Sequence, residues 1–231
     1  MPFDLQNIEY DAALVARGKL LQRDVPSRSF SVYRSVMKRA FDLALIVLFA
    51  PVIIPLIAIM AFLVMLDGNA PFYSQQRVGR NGKIFRMLKL RTMVPNADKM
   101  LAAYLAANPD AKAEWDATQK LKNDPRITKV GRILRKTSLD ELPQLINVLA
   151  GSMSIVGPRP MMVEQQRLYD GQSYFKMRPG LTGLWQVSDR NECEFRDRVK
   201  FDDAYYQVLS FSTDVAVILR TVRVVLRGTG Y

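Results

Sequence analysis

Two adjacent carboxylates, Asp140 and Glu141, stand in unusual company. Arg126, Lys129, Arg132, Arg135 and Lys136 precede them, and Arg159 follows. Nearby cations keep a carboxylate ionised. In that form it can hold Mg²⁺ or attack phosphorus. The same cations would neutralise charge that develops on a transferred phosphoryl group. A structural alternative explains the pair equally well. Ser138 and Glu141 fit an S-x-x-E capping box, and Pro143 favours a helix that starts slightly later. Either way the acids lie at or just before a helix N-terminus, where the dipole favours them by about 0.3–1 kcal/mol. A second group is Gly157-Pro158-Arg159-Pro160. Pro158 and Pro160 hold Arg159 in a stiff loop, which suits bidentate phosphate binding; alone, the motif also fits an ordinary surface arginine. Lys89 and Arg91 are unremarkable taken singly.

The absences narrow the chemistry further. The chain of 231 residues contains no histidine and one cysteine, Cys193. Imidazole bases, Ser-His-Asp and Cys-His catalysis, and His or Cys metal sites are therefore excluded. Acid–base or covalent work falls to carboxylates, Lys or Tyr. Neither a G-x-x-x-x-G-K-[ST] loop nor a G-x-G-x-x-G fingerprint is present, so this is no standard P-loop hydrolase or Rossmann dehydrogenase. The formal charge of +11 points to an anionic partner: nucleic acid, lipid headgroups or a phosphorylated substrate.

The elements that must position these residues begin with an apolar run. Leu43 to Leu66 carries no charge and is long enough to span a bilayer. Pro51 and Pro55 interrupt it, and Pro favours a kink. Both flanks are basic, with Arg34, Lys38 and Arg39 before it and Arg77, Arg80 and Lys83 after it, and basic flanks mark the cytoplasmic side. A re-entrant helical hairpin bending at Ala50-Pro51 meets both facts. A kinked span and a soluble core helix are the alternatives.

Downstream, Asn81-Gly82 between two apolar-basic runs predicts a β-hairpin over 72–92. Helices are predicted over 97–107 and 111–121, separated by Asn108-Pro109. Leu142, Leu145, Ile146 and Leu149 form a helical apolar stripe closed by Gly151. The segments SMSIVGPRP and MRPGLTGLWQ read as loops. A last helix is predicted from Asp214, capped by Ser212 or Thr213 and ended by Gly228. Its apolar face (Val215, Ile218, Leu219, Val222) opposes Arg220, Arg223 and Arg227, which reads as a helix at an anionic lipid surface or one packed on a core. The predicted fold class is mixed α/β and mainly helical. It comprises a tail over 1–34, a membrane helix over 35–66 and a catalytic domain over 67–231.

In sequence order, KRAFDLALIVLFAP, LKLRTM, NDPRITKVGRILRKTSLDELPQLINVLAGSMSIVGPRP and RPGLTGLWQV resemble the bacterial sugar transferase family, the monotopic phosphoglycosyl transferases. The resemblance covers about Ser35 to Tyr231 and follows the short catalytic form of exopolysaccharide type. It implies a monotopic enzyme on the cytoplasmic face of the bacterial inner membrane. That enzyme moves hexose-1-phosphate from a UDP-sugar, galactose or glucose first, to undecaprenyl phosphate and releases UMP. It implies Asp140 as nucleophile and Mg²⁺ ligand, with Glu141 completing the dyad. Lys89, Arg91 and Arg159, between Pro158 and Pro160, map to phosphate contacts. Lys38, Arg39 and Asp42 map to the start of the re-entrant helix near the lipid phosphate, and Pro51 to its bend. The expected partners are the UDP-sugar, undecaprenyl phosphate and an anionic bilayer surface, with no nucleic acid; a homo-oligomer is left open. Two positions depart from the family pattern: Ser152 where Asp is usual, and Asp189 where Gly is usual. Two rival classes remain. A nucleic-acid binder would leave the apolar run unexplained, and a non-catalytic anchor would leave TSLDELPQL and GPRP unexplained.

Overall fold

A computed structural model describes residues 32–118, 121, 123–188 and 195–226. The predicted tail up to residue 31, Asp189, Cys193, Arg227 and Gly228 lie outside the described residues.

The apolar run forms one helix, α1 (Lys38–Met65), entered through a π-helical turn over Tyr33–Met37. Pro51 and Pro55 lie inside it, and the helix is not interrupted at either. The run is thus assigned as one continuous helix across Ala50-Pro51. The cost of each proline is one lost backbone bond, which four-residue spacing confines to a short stretch. Val47, Leu48, Val52, Ile54 and Phe62 are all exposed. The two ends, in contrast, are buried against the rest of the chain. Ile46 shares an apolar cluster with Met87, Val148 and Met153, and Val64 shares one with Leu90 and Leu134.

The predicted hairpin is β1 (Phe72–Val78) and β2 (Ile84–Leu90), paired antiparallel from Phe72–Leu90 to Val78–Ile84. Asn81 and Gly82 both have positive φ, as the Asn-Gly signal requires. Helices α2 (Ala97–Ala107) and α3 (Pro109–Thr118) follow, with Pro109 at the first helical position, two residues earlier than predicted. Then come α4 (Lys129–Thr137) and α5 (Gln144–Leu149). Thr128 caps α4 by accepting from the Gly131 amide at 2.9 Å.

Both predicted loops contribute a strand: β3 (Ser154–Val156) and β4 (Gly180–Thr182) pair in parallel. Glycine makes the close backbone approach possible here. A Cβ on Gly180 would stand 2.1 Å from the Gly157 nitrogen. Turn residues masked a ladder only three residues long. Short helices α6 (Ser173–Lys176) and α7 (Leu184–Val187) flank β4. Helices α8 (Arg198–Val208) and α9 (Phe211–Leu226) complete the described chain. α9 starts earlier than predicted. Ser210, not Ser212 or Thr213, supplies the capping hydroxyl, which accepts from the Thr213 amide at 3.3 Å. Asp214 is drawn into the interior, where it accepts from Tyr33 (2.7 Å), Lys38 (2.5 Å) and Tyr205 (2.6 Å).

Candidate active site

Asp140 and Glu141 lie on a 3₁₀ turn over Leu139–Glu141, between α4 and α5. Ser138 takes a left-handed conformation and closes α4, its amide donating to the Arg135 carbonyl at 3.1 Å. The predicted capping box does not form, because Ser138 ends one helix instead of starting the next. The acids therefore owe their place to a reversal of the chain. α5 also differs from its stripe. It buries Gln144, Asn147 and Val148 and leaves Ile146 and Leu149 half exposed. Asn147 is held inside because it bridges β2, accepting from the Leu88 amide (2.9 Å) and donating to the Arg86 carbonyl (2.7 Å). That bridge fixes the acid-bearing turn beside the strand that carries Lys89.

Lys89 Nζ donates to Glu141 Oε1 at 2.7 Å and stands 3.8 Å from Asp140 Oδ2. Asp140 is buried, which pushes its carboxyl above the usual range; Lys89 and Arg135 pull it back, while Glu141 raises it further. Arg135 is fixed by a 2.9 Å bond from Nε to Thr92 Oγ1.

Lys89 and Glu141 line a small open cavity of about 120 Å³ together with Gln144, Arg159 and Pro160. Ligand clefts usually measure about 300–1,000 Å³, so this one has room for phosphate groups and not for a whole nucleotide sugar. Pro158 lies behind it, its carbonyl accepting from the Gly180 amide at 2.8 Å. This bond ties the Pro-Arg-Pro loop to β4. Three further residues that the sequence did not single out reach the same cavity: Arg77, Gln186 and Arg198. Arg77 is buried near the end of β1, on the face it shares with Tyr73 and Gln75. Nothing local marks Gln186 or Arg198.

Arg91 is not among the residues lining the cavity. It clamps Asp67 through two bonds of 2.8 and 2.5 Å and donates to the Val64 and Ala70 carbonyls, fastening the end of α1 to β2. The residues at the other end of α1 are also engaged by protein. Lys38 pairs with buried Asp214. Arg39 donates to the carbonyls of Val148 and Leu149, at the C-terminal end of α5. Asp42 accepts from Ser154 Oγ (2.7 Å) and the Ile155 amide (3.1 Å). All three dock the start of α1 onto α5, β3 and α9. The Ser152 hydroxyl donates to the Asn147 carbonyl at 3.1 Å, a contact within the α5–β3 turn.

Among the described residues no group of three or more His, Cys, Asp or Glu converges as a metal cage. Mg²⁺ fits nonetheless, because it commonly binds one or two carboxylates and completes its shell with water and substrate phosphate. Asp140 and Glu141 could supply those carboxylates.

The bacterial sugar transferase family model matches residues 33–228. The chain belongs to the bacterial sugar transferase family. It is 47% identical over 196 residues to the UDP-galactose-lipid carrier transferase of Erwinia amylovora, covering 84% of this chain and 41% of that protein. It is 45% identical over 199 residues to the exopolysaccharide production protein ExoY of Rhizobium meliloti, covering 84% and 87%. It is 47% identical over 196 residues to the undecaprenyl-phosphate galactose phosphotransferase of Salmonella typhimurium, covering 84% and 41%. The chain thus spans about two fifths of the Erwinia and Salmonella proteins and most of the Rhizobium one.

Proposed function

We propose that this protein transfers hexose-1-phosphate from a UDP-sugar to undecaprenyl phosphate, releases UMP and so begins assembly of an exopolysaccharide. One observation carries the reading: a buried carboxylate, Asp140, stands 3.8 Å from Lys89, and Lys89 and Glu141 line a cationic cavity that is sized for phosphate. An Asp140 carboxylate oxygen attacks the sugar-bearing phosphorus. The bond from that phosphorus to the bridging oxygen breaks, and its electron pair leaves on the phosphate of UMP. A phosphosugar-aspartyl ester remains. An oxygen of the lipid phosphate then attacks the same phosphorus and returns Asp140 as a carboxylate. No proton has to move in either step, in keeping with a site that holds no imidazole. Lys89 and Arg159 offset the phosphoryl charge. Mg²⁺ held by Asp140 and Glu141 would supply further charge neutralisation on the diphosphate. Galactose is the first donor to test, since relatives are named for it.

The reading places α1 in the cytoplasmic leaflet of the inner membrane, entering and leaving on one side. Support comes from where its ends lie. Ile46 shares a cluster with Met87, and Val64 with Leu90. Met87 and Leu90 are about 10 Å apart on β2. Ile46 and Val64 would be about 27 Å apart on a straight helix. A helix bent at its prolines brings both ends to one body with its exposed apolar middle in lipid. α9 adds a second lipid-facing surface: Phe211, Leu219 and Val222 are exposed beside Arg223.

UMP release from a panel of UDP-sugars, with detergent-purified protein, Mg²⁺ and undecaprenyl phosphate, tests the reaction. Asp140→Asn keeps the side chain's size and removes the nucleophile. It should reduce release by about a thousandfold or more. Release at the wild-type rate would refute the covalent role.

A further inference from the structure

Beside Arg159, the cavity holds two further arginines that the attack by Asp140 does not use. Arg77, Arg159 and Arg198 all line it. Arg77 and Arg198 are buried enough that desolvation, then the neighbouring Arg159 charge, depresses both guanidinium groups, Arg198 to about 10. Among the described residues none of the three forms an ion pair. Arg77 has one bond, to Gln75 Oε1 at 2.7 Å, and the Nε atoms of Arg77 and Arg198 are buried without a partner. Gln186 is 7% exposed, and both its amide oxygen and its amide nitrogen lack partners. Trp185 lies under two of the cations, its ring 4.4 Å from the Arg198 guanidinium and 5.6 Å from that of Arg159. Asp202 on α8, whose charge acts on Arg198, is pushed up to about 7 by burial, which limits the charge it can offer. Three like charges and an unsatisfied amide are costly to bury without a counter-ion. An anion would complete the set.

Geometry decides which anion. In the hairpin register Tyr73 faces Lys89 and Arg77 faces Phe85, so Lys89 and Arg77 share one face of the sheet. Their levels are about 13 Å apart along the strands. The Lys89 end lies next to the dyad and, through Arg91 and Val64, next to α1. The Arg77 end lies toward the hairpin tip, and no residue lining the cavity belongs to α1. A phosphate anchored in lipid arrives from the first end. The phosphate group at the second end is the one that departs.

We propose that Arg77, Arg198 and Gln186, together with Arg159, form the subsite that holds the leaving nucleoside monophosphate. This rests on the transferase reading above. Bond cleavage adds one negative charge to that phosphate, so guanidinium groups here bind it more strongly as the bond breaks. The subsite therefore contributes to rate as well as to donor affinity.

The test measures UMP and farnesyl phosphate binding to the detergent-purified full chain by calorimetry, with thermal melting in parallel. Arg198→Met and Gln186→Glu should each weaken UMP binding about tenfold or more, the loss expected for one charge-assisted contact. Farnesyl phosphate affinity should stay within about twofold. The melting temperature should not fall in Arg198→Met and should rise in Gln186→Glu, which gives the arginines a counter-charge. Unchanged UMP affinity, no UMP binding by the wild type, or a loss confined to farnesyl phosphate would overturn the assignment. UMP binding that behaves as expected in a protein that turns over no UDP-sugar would instead count against the transferase reading alone.

Discussion

Asp140 and Asp202 are both buried acids, and their partners separate their roles. Asp140 faces Lys89 across 3.8 Å, and Lys89 lines the cavity. Asp202 is enclosed and accepts from the Tyr169 hydroxyl at 2.7 Å. Burial raises Asp202 to about 7, above its unfolded value of about 3.9. The folded state therefore binds the extra proton between those values, and stability is lost as pH rises through that window. Asp202→Asn keeps an acceptor for Tyr169 and carries no charge. Its melting temperature should match the wild type near pH 4 and exceed it at pH 8 by about 2–4 °C for each kcal/mol recovered. Equal melting temperatures at both pH values would show that Asp202 is not held protonated.

At the scale of elements, the proposed membrane contact rests on α1. Its two ends are pinned by separate devices: Lys38, Arg39 and Asp42 at one, Arg91 with Asp67 at the other. In a Cys193→Ser background, Val32→Cys and Asn69→Cys should both react with a membrane-impermeant maleimide from the cytoplasmic side only. Labelling of the two from opposite sides would establish a span. The apolar run and its prolines were legible in the sequence, as were the β1–β2 hairpin and the span of α2, because periodicity and turn chemistry are local. The β3–β4 ladder was not, since its six residues lie in Gly- and Pro-rich segments and pair across about 25 residues of chain. The same limit applied to the site. Asp140, Glu141, Lys89 and Arg159 were found through motifs, and the structure brings them to one place. Arg91 sits two residues from Lys89, just past the end of β2, and is turned to the end of α1 by Asp67, a pairing that spacing alone does not reveal. Arg77, Gln186 and Arg198 come from three elements with no shared signature.

At the scale of the whole molecule, the account places a soluble donor and a lipid acceptor at opposite ends of one small cavity. Ile146 and Leu149 of α5 and Leu219 and Val222 of α9 are exposed apolar residues in addition to those of α1. Leu219→Asp with Val222→Asp should lower turnover several-fold in bilayer nanodiscs. It should leave turnover of a short prenyl phosphate in detergent unchanged. Equal losses in both settings would mean that α9 supports the fold and not the membrane contact. The central claim is that Asp140 itself carries the phosphosugar between donor and acceptor. The direct measurement is mass spectrometry of the purified enzyme after brief exposure to its UDP-sugar and Mg²⁺ without lipid phosphate. A covalent role for Asp140 requires a mass gain of one phosphohexose on the peptide that contains it, removed when undecaprenyl phosphate is added and absent in Asp140→Asn. Rapid UMP release on addition of the lipid, with no adduct on that peptide at any time without it, would contradict it.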